Sequence, residues 1–408
     1  MTQAGADTGT KKIEWARAHM PLLAALRADF LAEQPFAGKR LAMSIHLEAK
    51  TACLALLLRD GGAEVFLTGS NPLSTQDAIV EALQGEDRLT VNARRGASEE
   101  EYLDCLRHSL EAEPNLLLED GGDMIALLLD EYPQASTSVL GATEETTTGV
   151  TRLRAWDKAG VLRFPVFAVN EAQMKHLIDN RYGTGQSVWD AILRTTNLLI
   201  AGKDVLIAGY GWCGRGLTLR ASGLGARVSV TEVDPIKAVE AVMDGFAVAP
   251  LLEGIRHADF LITATGGRDL VTDETLQNAK EGLAIANASH FDLEIDRAAL
   301  ARFAVTDRLV RPGIREFRSR DGKCVYLLGE GNIVNLSAGD GHPVEIMDIS
   351  FALQAMTLRY IADHAPISPG LYPVPDKVDA QVAQKKLDTL GIAIDRLTDA
   401  QRRYLGLQ

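Results

Sequence analysis

Cysteine is scarce in this chain: Cys53, Cys105, Cys213 and Cys324 are the only four in 408 residues. None has the close spacing of a metal-ligand motif, so no metal is expected. Thiols so few and scattered exclude a disulfide-framed small domain and suit a reducing compartment. A long apolar run is missing too, so no segment is expected to span a bilayer. Residues 1–12 lack the apolar centre of a signal peptide and read as a loose polar tail, which makes the cytoplasm the expected location. The formal net charge of −13, with no long basic run, argues against nucleic acid or an anionic membrane as partner. Internal repeats and low-complexity segments are absent. What remains is an ordinary globular composition, 46% hydrophobic and 24% charged, at a length that holds two or three domains.

The most informative stretch runs from Asp204 to Asp234. An apolar run, Val205 to Ala208, reads as a buried parallel strand. Gly209, Gly211 and Gly214 follow as GxGxxG with Gly216 behind them, then a helix and a second strand, Arg227 to Thr231, ending on Glu232. The first glycine allows the tight turn, the second lets a pyrophosphate approach the backbone, and the third lets helix pack on strand. An acid at Glu232 suits the ribose hydroxyls of NAD, where a base would suit the phosphate of NADP.

Strand and helix patterns alternate on both sides of this unit. Leu41 to Ile45, Glu64 to Thr68, Leu89 to Asn92 and Asn115 to Leu118 are strand candidates separated by helical segments, which predicts a first doubly wound domain. His46, Asn71 with Gln76, and Asp120 fall after its strands, where open sheets bind ligands. Glu145 to Gly149 is a polar run read as a connection or binding loop rather than core. Lys175 and Asp179, four apart, share a helical face, and a surface ion pair is the plain reading. Phe246 to Ala249, Phe260 to Thr265 and Leu283 to Ala288 continue a second doubly wound domain, followed by a hairpin near Cys324 to Leu328. Glu345 to about Asp363 reads as a helix crossing back to the first domain, and the charged residues from about Asp376 as a helical tail. The expected class is α/β, with two doubly wound parallel-sheet, Rossmann-like domains around a cleft and a short C-terminal helical tail. The expected boundaries are 1–183 with 344–385, 184–343, and 386–408.

The stretches HLEAKTA, NPLSTQD, EDGGD, EETTTG, KHLIDNRYG, GYGWCGRG, HFDLEID and VNLSAGDGHP, in that order, resemble the S-adenosyl-L-homocysteine hydrolase family over nearly the whole chain. GYGWCGRG, HLEAKT and the lack of a long insertion are similar to its short archaeal and bacterial branch. The resemblance implies a redox-neutral cycle with one NAD per subunit, regenerated at each turnover. The ribose 3′-hydroxyl is oxidised, the C4′ proton is removed, homocysteine leaves from C5′, water adds, and the ketone is reduced. It assigns Lys175 as the base at the 3′-hydroxyl, with a pKa lowered by burial or nearby cations. Asp179 and Glu145 would hold the ribose hydroxyls beside Asn180, and His46 and Asp120 would manage protons at C4′ and C5′. Asn71 and Gln76 would contact substrate, His290 and His342 would line the cleft, and Met347 and Phe351 would wall the base pocket. Thr146, Thr147, Asn180, Thr265 and Asn335 would join Gly209, Gly211, Gly214 and Glu232 at the cofactor. A homotetramer acting on a small nucleoside thioether is the implied assembly and partner.

The chain also departs from that pattern. Glu48 and Lys50 stand where the family often has threonine and glutamate at the adenine edge. Lysine only donates, so Lys50 suits the keto oxygen of hypoxanthine, and S-inosylhomocysteine becomes an alternative substrate unless Lys50 turns to solvent or pairs with Glu48. Ser289 replaces a glycine, Asn332 replaces a basic residue, and a lysine- and tyrosine-containing C-terminal extension is not present. These changes raise a second alternative, dehydration of a plain nucleoside at C4′–C5′ by the same chemistry. A noncatalytic NAD or nucleoside sensor is a third, which the intact set of candidate catalytic residues disfavours.

Overall fold

The computed structural model describes residues 3–290 and 292–407; Met1, Thr2, Phe291 of HFDLEID, and Gln408 lie outside them. Strands β1 (Arg40–Ser44), β2 (Glu64–Thr68), β3 (Leu89–Val91), β4 (Leu116–Glu119), β5 (Gly141–Glu144) and β6 (Pro165–Ala168) build one sheet. Strands β7 (Asp204–Ala208), β8 (Arg227–Thr231), β9 (Ala247–Val248), β10 (Phe260–Thr263), β11 (Leu283–Asn287), β12 (Thr306–Arg311), β13 (Ile314–Arg318) and β14 (Cys324–Leu328) build a second. The chain then returns, and β15 (Gly370–Pro373) adds to the first sheet, parallel to β6.

The first sheet has the order β15-β6-β5-β4-β1-β2-β3, with every pairing parallel. Its order reverses between β1 and β4, which opens a crevice beyond their carboxyl ends. The second sheet has the order β12-β13-β14-β11-β10-β7-β8-β9 and reverses between β7 and β10. Only its β12-β13-β14 edge is antiparallel. Central strands such as Phe260–Thr263 are buried along their whole length, because helices cover both faces, and so they read as continuous apolar runs. The expected doubly wound class is therefore the observed one. Strands β5, β6, β12, β13 and β15 had no sequence signal strong enough to read. β5 is four residues, GATE, and all six residues of β12 are exposed.

Helix Val344–His364 carries the chain back, as its periodicity predicts, and buries Ile349, Phe351, Leu353 and Leu358 against the first core. Asp348 on that helix is fully buried. It accepts from Leu22 N and Leu23 N, at 3.1 and 2.9 Å, and pairs with Lys386 of the tail helix Asp376–Thr389 at 2.9 Å. The amino-terminal segment corrects the sequence reading. Helix Gln3–Ala18 packs on helices Ala49–Asp60 and Asp77–Leu83, burying Ile13 and Ala16. Its apolar residues are too few to show as a stripe, and a tight helix crossing compensates: Gly9 lies so close to Asp77–Leu83 that a Cβ there would stand 1.8 Å from the Ala78 carbonyl oxygen. Gly9→Ala is accordingly expected to cost about 1–3 kcal/mol, read as a lower Tm together with faster amide exchange in residues 5–18.

Candidate functional site

The glycine loop has the geometry that a dinucleotide needs. Gly209 takes φ +95°, and a Cβ on Gly214 would stand 1.9 Å from the Gly209 carbonyl oxygen, so both positions require glycine. A Cβ on Gly211 would meet nothing within 4 Å. That open side, at the start of helix Trp212–Gly223, leaves room for a pyrophosphate against backbone N–H groups. Glu232 accepts from Tyr210 N at 2.7 Å, Val233 N at 2.7 Å and Asp234 N at 3.0 Å. Partial burial works against its charge, but these three donors outweigh it and hold the carboxyl below its ordinary range, so a fixed anion stands at the end of β8. These residues fit NAD. Gly216 lies against the Arg181 carbonyl oxygen, where a Cβ would be 1.7 Å away, and thereby joins this helix to the next part of the site.

That part is a π-helix, Lys175–Gly183. Its i→i+5 hydrogen bonding brings residues i+4 and i+5 together over residue i. Lys175 Nζ thus meets Asp179 Oδ1 at 3.2 Å and Asn180 Oδ1 at 2.9 Å, with Glu145 Oε1 at 3.3 Å from the end of β5. All four side chains are buried, so this is no surface ion pair. Helix Val344–His364 supplies the supports: Ser350 Oγ donates to Asp179 Oδ2 at 2.6 Å, and Gln354 Nε2 donates to Glu145 Oε2. His342 Nδ1 lies 3.0 Å from Asp179 Oδ1. Burial opposes the charge on Lys175, but Asp179 and Glu145 outweigh it and raise its pKa. The expectation of a lowered lysine pKa is therefore reversed in this state. Asp179, despite burial, is held well below its ordinary range by Lys175 and His342, whereas burial pushes Glu145 up to about 7 against the pull of Lys175.

The first-sheet crevice holds His46 after β1 and Asp120 after β4. His46 Nε2 is 3.6 Å from Asp120 Oδ2, and His290 Nδ1, arriving from the end of β11, is 3.9 Å from Asp120 Oδ1. Burial pushes His46 down to about 4 against the attraction of Asp120, with His290 and His342 adding to the fall, so its imidazole is neutral at pH 7. Among the described residues, His46, Asp120 and His290 bring three ligand-type atoms within 4.8 Å of one another, a convergence that the spacing of the sequence did not disclose.

Both crevices open into one cavity of about 370 Å³. Its lining includes His46, Asp120, Glu145, Lys175, Asp179 and Asn180. Thr146, Thr147, Gly211, Thr265, His290, Asn335 and His342 line it too, as do Met347 and Phe351 beside Glu48 and Lys50. Lys50 is buried; its Nζ pairs with Glu48 Oε2 at 2.9 Å and donates to the Asp340 carbonyl oxygen at 3.0 Å. Asn71 and Gln76 are not in the lining. Asn71 shapes a turn, accepting from Leu73 N at 2.8 Å, and Gln76 Oε1 accepts from Lys12 Nζ at 2.9 Å. Their motif also carries Ser74, which does not line the cavity either but whose Oγ is 2.7 Å from His46 Nδ1.

Residues 180–341 match the family described as S-adenosyl-L-homocysteine hydrolase, NAD binding domain. The adenosylhomocysteinase of Thermotoga maritima is 52% identical over 400 residues, covering 98% of this chain and 99% of that protein. The chain belongs to the S-adenosyl-L-homocysteine hydrolase family. The S-inosyl-L-homocysteine hydrolase of Methanopyrus kandleri is 51% identical over 98% of this chain and 95% of its own, and the adenosylhomocysteinase of Thermoplasma volcanium 49% identical over 97% of each. NAD is the cofactor of this family's nucleotide-binding domain.

For a member of the family two of the departures, Ser289 and Asn332, prove to be internally committed. Ser289 Oγ donates to Glu294 Oε1 at 2.7 Å, an oxygen that also accepts from Thr265 Oγ1 at 2.9 Å, and Asn332 Nδ2 donates to the Gly329 carbonyl at 3.2 Å. Reasoning from sequence missed Asn170, Ser350, Gln354, Ser70 and Ser74. Ser350 and Gln354 carried a signal, because they share a helix face with Met347 and Phe351, where polar residues in an apolar stripe need a buried partner. The polar run Glu145 to Gly149 is a connection that lines the cavity with Glu145, Thr146, Thr147 and Thr148, and Glu144 just before it lies deeper. Glu144 is fully buried beside its register partner Glu119, and it accepts from Gly121 N, Thr146 N and Thr146 Oγ1.

Burial and the charge of Asp120 push Glu144 up to about 8. The folded protein therefore holds a proton that the unfolded chain releases near its ordinary 4.5, and this group subtracts stability progressively as pH rises from about 4.5 to about 8. Glu144→Gln should gain on the native protein over that window, so the difference in Tm widens from pH 5 to 8.5; His46, common to both proteins, cancels. At the cofactor loop, Gly211→Ala should leave the Tm of NAD-free protein unchanged and weaken NAD binding by about tenfold or more, as the methyl takes the space of the phosphate. Calorimetric titration with NAD reads it.

Proposed function

We propose that this protein reversibly hydrolyses the thioether of S-adenosyl-L-homocysteine to homocysteine and adenosine, holding one NAD per subunit that is regenerated at each turnover. The observation that carries the reading is one cavity with Lys175, Asp179 and Glu145 on one wall, His46 and Asp120 on another, and the glycine loop opening into it. Asp179 and Glu145 accept hydrogen bonds from the two ribose hydroxyls. Once engaged in this way they attract the Lys175 proton less strongly, and the lysine becomes able to take the proton of the 3′-hydroxyl. Bound NAD supplies the reversible oxidation of that carbon, which acidifies the neighbouring C4′–H. Neutral His46 and the carboxylate of Asp120 take the C4′ proton and return protons at the 5′ position, while the closed cavity keeps out all but the water that adds. His290, His342 and Asn335 line the cofactor and ribose end, and Met347 and Phe351 wall the base.

The buried Glu48–Lys50 ion pair is the arrangement that counts against a free Lys50 donor, so a second reading, S-inosyl-L-homocysteine as substrate, rests on that pair opening toward the base in the cavity that both residues line. Glu48 suits the amino group of adenine and Lys50 the keto oxygen of hypoxanthine. The reading as a whole carries a homotetramer in the cytoplasm, with domains at 1–183 with 344–385, 184–343, and a tail at 386–408. It is supported by exposed apolar residues in the tail, Ile394 and Tyr404 among them, which suit a subunit contact. Among the described residues no helix is long and apolar enough to cross a membrane.

A mass-spectrometric panel of NAD-loaded protein with S-adenosylhomocysteine, S-inosylhomocysteine, adenosine and inosine tests the proposal. Homocysteine is expected from the adenosine thioether, and no thiol from either thioether would overturn the hydrolase. Lys50→Met should lower kcat/KM for the inosine thioether by about tenfold relative to the adenosine one; equal losses would remove the second reading.

A further inference from the structure

Ser74 touches the cavity only through His46, and its hydrogen bonds fix where the imidazole proton sits. Ser74 is buried, and among the described residues its Oγ has two hydrogen-bond partners: the Asn71 carbonyl oxygen at 2.9 Å and His46 Nδ1 at 2.7 Å. A hydroxyl has one proton to give, and a carbonyl oxygen can only accept. If the Ser74 proton went to Nδ1, two oxygens would face each other at 2.9 Å with no proton between them. The proton therefore points to Asn71, and Nδ1 must carry the hydrogen that its own contact needs. We propose that Ser74 is a positioning residue that holds His46 as the Nδ1–H tautomer, so that the lone pair of Nε2 faces the reacting carbon.

The far side of the ring agrees. Nε2 stands 3.6 Å from Asp120 Oδ2, an oxygen that already accepts from Ser70 Oγ at 2.9 Å and His46 N at 3.3 Å. Asp120 Oδ1, also buried, has no hydrogen-bond donor among the described residues. In the opposite tautomer an Nε2–H would face Asp120 at 3.6 Å and leave Nε2 no lone pair with which to take a proton. In the assigned tautomer Nε2 and Asp120 form a pair of acceptors without a proton, the arrangement that can receive one from C–H. The Nδ1–H···O contact acts as orienting bonds do for other working imidazoles, by fixing both ring plane and tautomer. The turn that supplies it belongs to the stretch Asn71 to Asp77, which thereby reaches the cavity through His46 although Asn71 and Gln76 do not line it.

The inference rests on the proposed hydrolase reading for its chemical consequence, but not for the tautomer itself. Nitrogen NMR of protein labelled with 15N-histidine, assigned with His46→Asn, reads the tautomer in NAD-free protein at pH 7. Nδ1 is expected to be protonated in the native protein and the preference to be lost in Ser74→Ala, while Ser74→Thr, which keeps a hydroxyl, retains it. In NAD-loaded protein given adenosine in heavy water, Ser74→Ala should slow deuterium entry at C4′ by tenfold or more yet leave reduction of bound NAD at its native rate. An Nε2–H tautomer in the native protein, or no change of tautomer in Ser74→Ala, overturns the proposal. An equal loss of both reactions with a native tautomer does the same. Failure of the native protein to reduce NAD with any nucleoside would instead remove the hydrolase reading and leave the tautomer result standing.

Discussion

A single ammonium group, kept away from water, sets the terms for the site. Burying the Lys175 charge is tolerable only if opposite charge and hydrogen-bond acceptors surround it, because an unpaired charge in the interior costs several kcal/mol. Asp179, Glu145 and Asn180 surround it, and each of the two carboxylates needs support in turn. Ser350 and Gln354 provide that support from the returning helix, and His342 from the loop before it. One charge thus ties together the end of β5, the π-helix, the long helix and the glycine-rich return. The same contacts place two carboxylates within reach of one lysine, so what makes the charge tolerable in the interior also fixes the geometry on which the proposed ribose chemistry depends.

The second constraint is topological. Each sheet reverses its strand order once near its middle, and a reversal leaves a crevice because the two flanking connections leave on opposite faces. His46 and Asp120 follow the strands that border the first crevice, Gly209 and Thr265 those that border the second. Both crevices face one cavity, so the glycine loop and the His46–Asp120 pair open into the same space. The close crossings that allow this depend on glycine: Gly216 against the Arg181 carbonyl, and Gly183 against His342, whose ring a Cβ would approach to 2.8 Å.

Ionisation adds a further layer. Neighbouring carboxyls diverge widely, with Asp179 and Asp120 held low by nearby bases in spite of burial, and Glu145 and Glu144 raised by it. Pairs of titratable groups driven apart by their surroundings are a common basis for dividing acid and base roles in one pocket. Here the divergence follows from position: Asp179 and Asp120 each touch a base, whereas Glu144 faces Glu119 and backbone donors.

Much of this is legible in the sequence. Apolar runs bounded by turn residues located the central strands, since parallel strands covered on both faces must be apolar throughout. Ordered motifs brought together His46, Asp120, Glu145, Lys175 and Asp179, because each follows a strand or sits on a segment whose local pattern is strong. Asn71 and Gln76 were misplaced because a motif identifies a loop and not the side of it that faces inward. The helix Gln3–Ala18, the weak edge strands, and the roles of Ser350, Gln354 and Ser74 required the fold. By itself the sequence determined the plan of two doubly wound α/β domains and the dinucleotide loop, since these depend on local periodicity and short spacing, while the candidate reacting side chains came from the resemblance of ordered motifs to a family. Only the tertiary structure decided which carboxylates flank Lys175, that Lys50 pairs with Glu48 inside the cavity, and which nitrogen of His46 is free. Burial, charge and hydrogen-bond direction are properties of neighbours distant in the chain, and no local pattern records them.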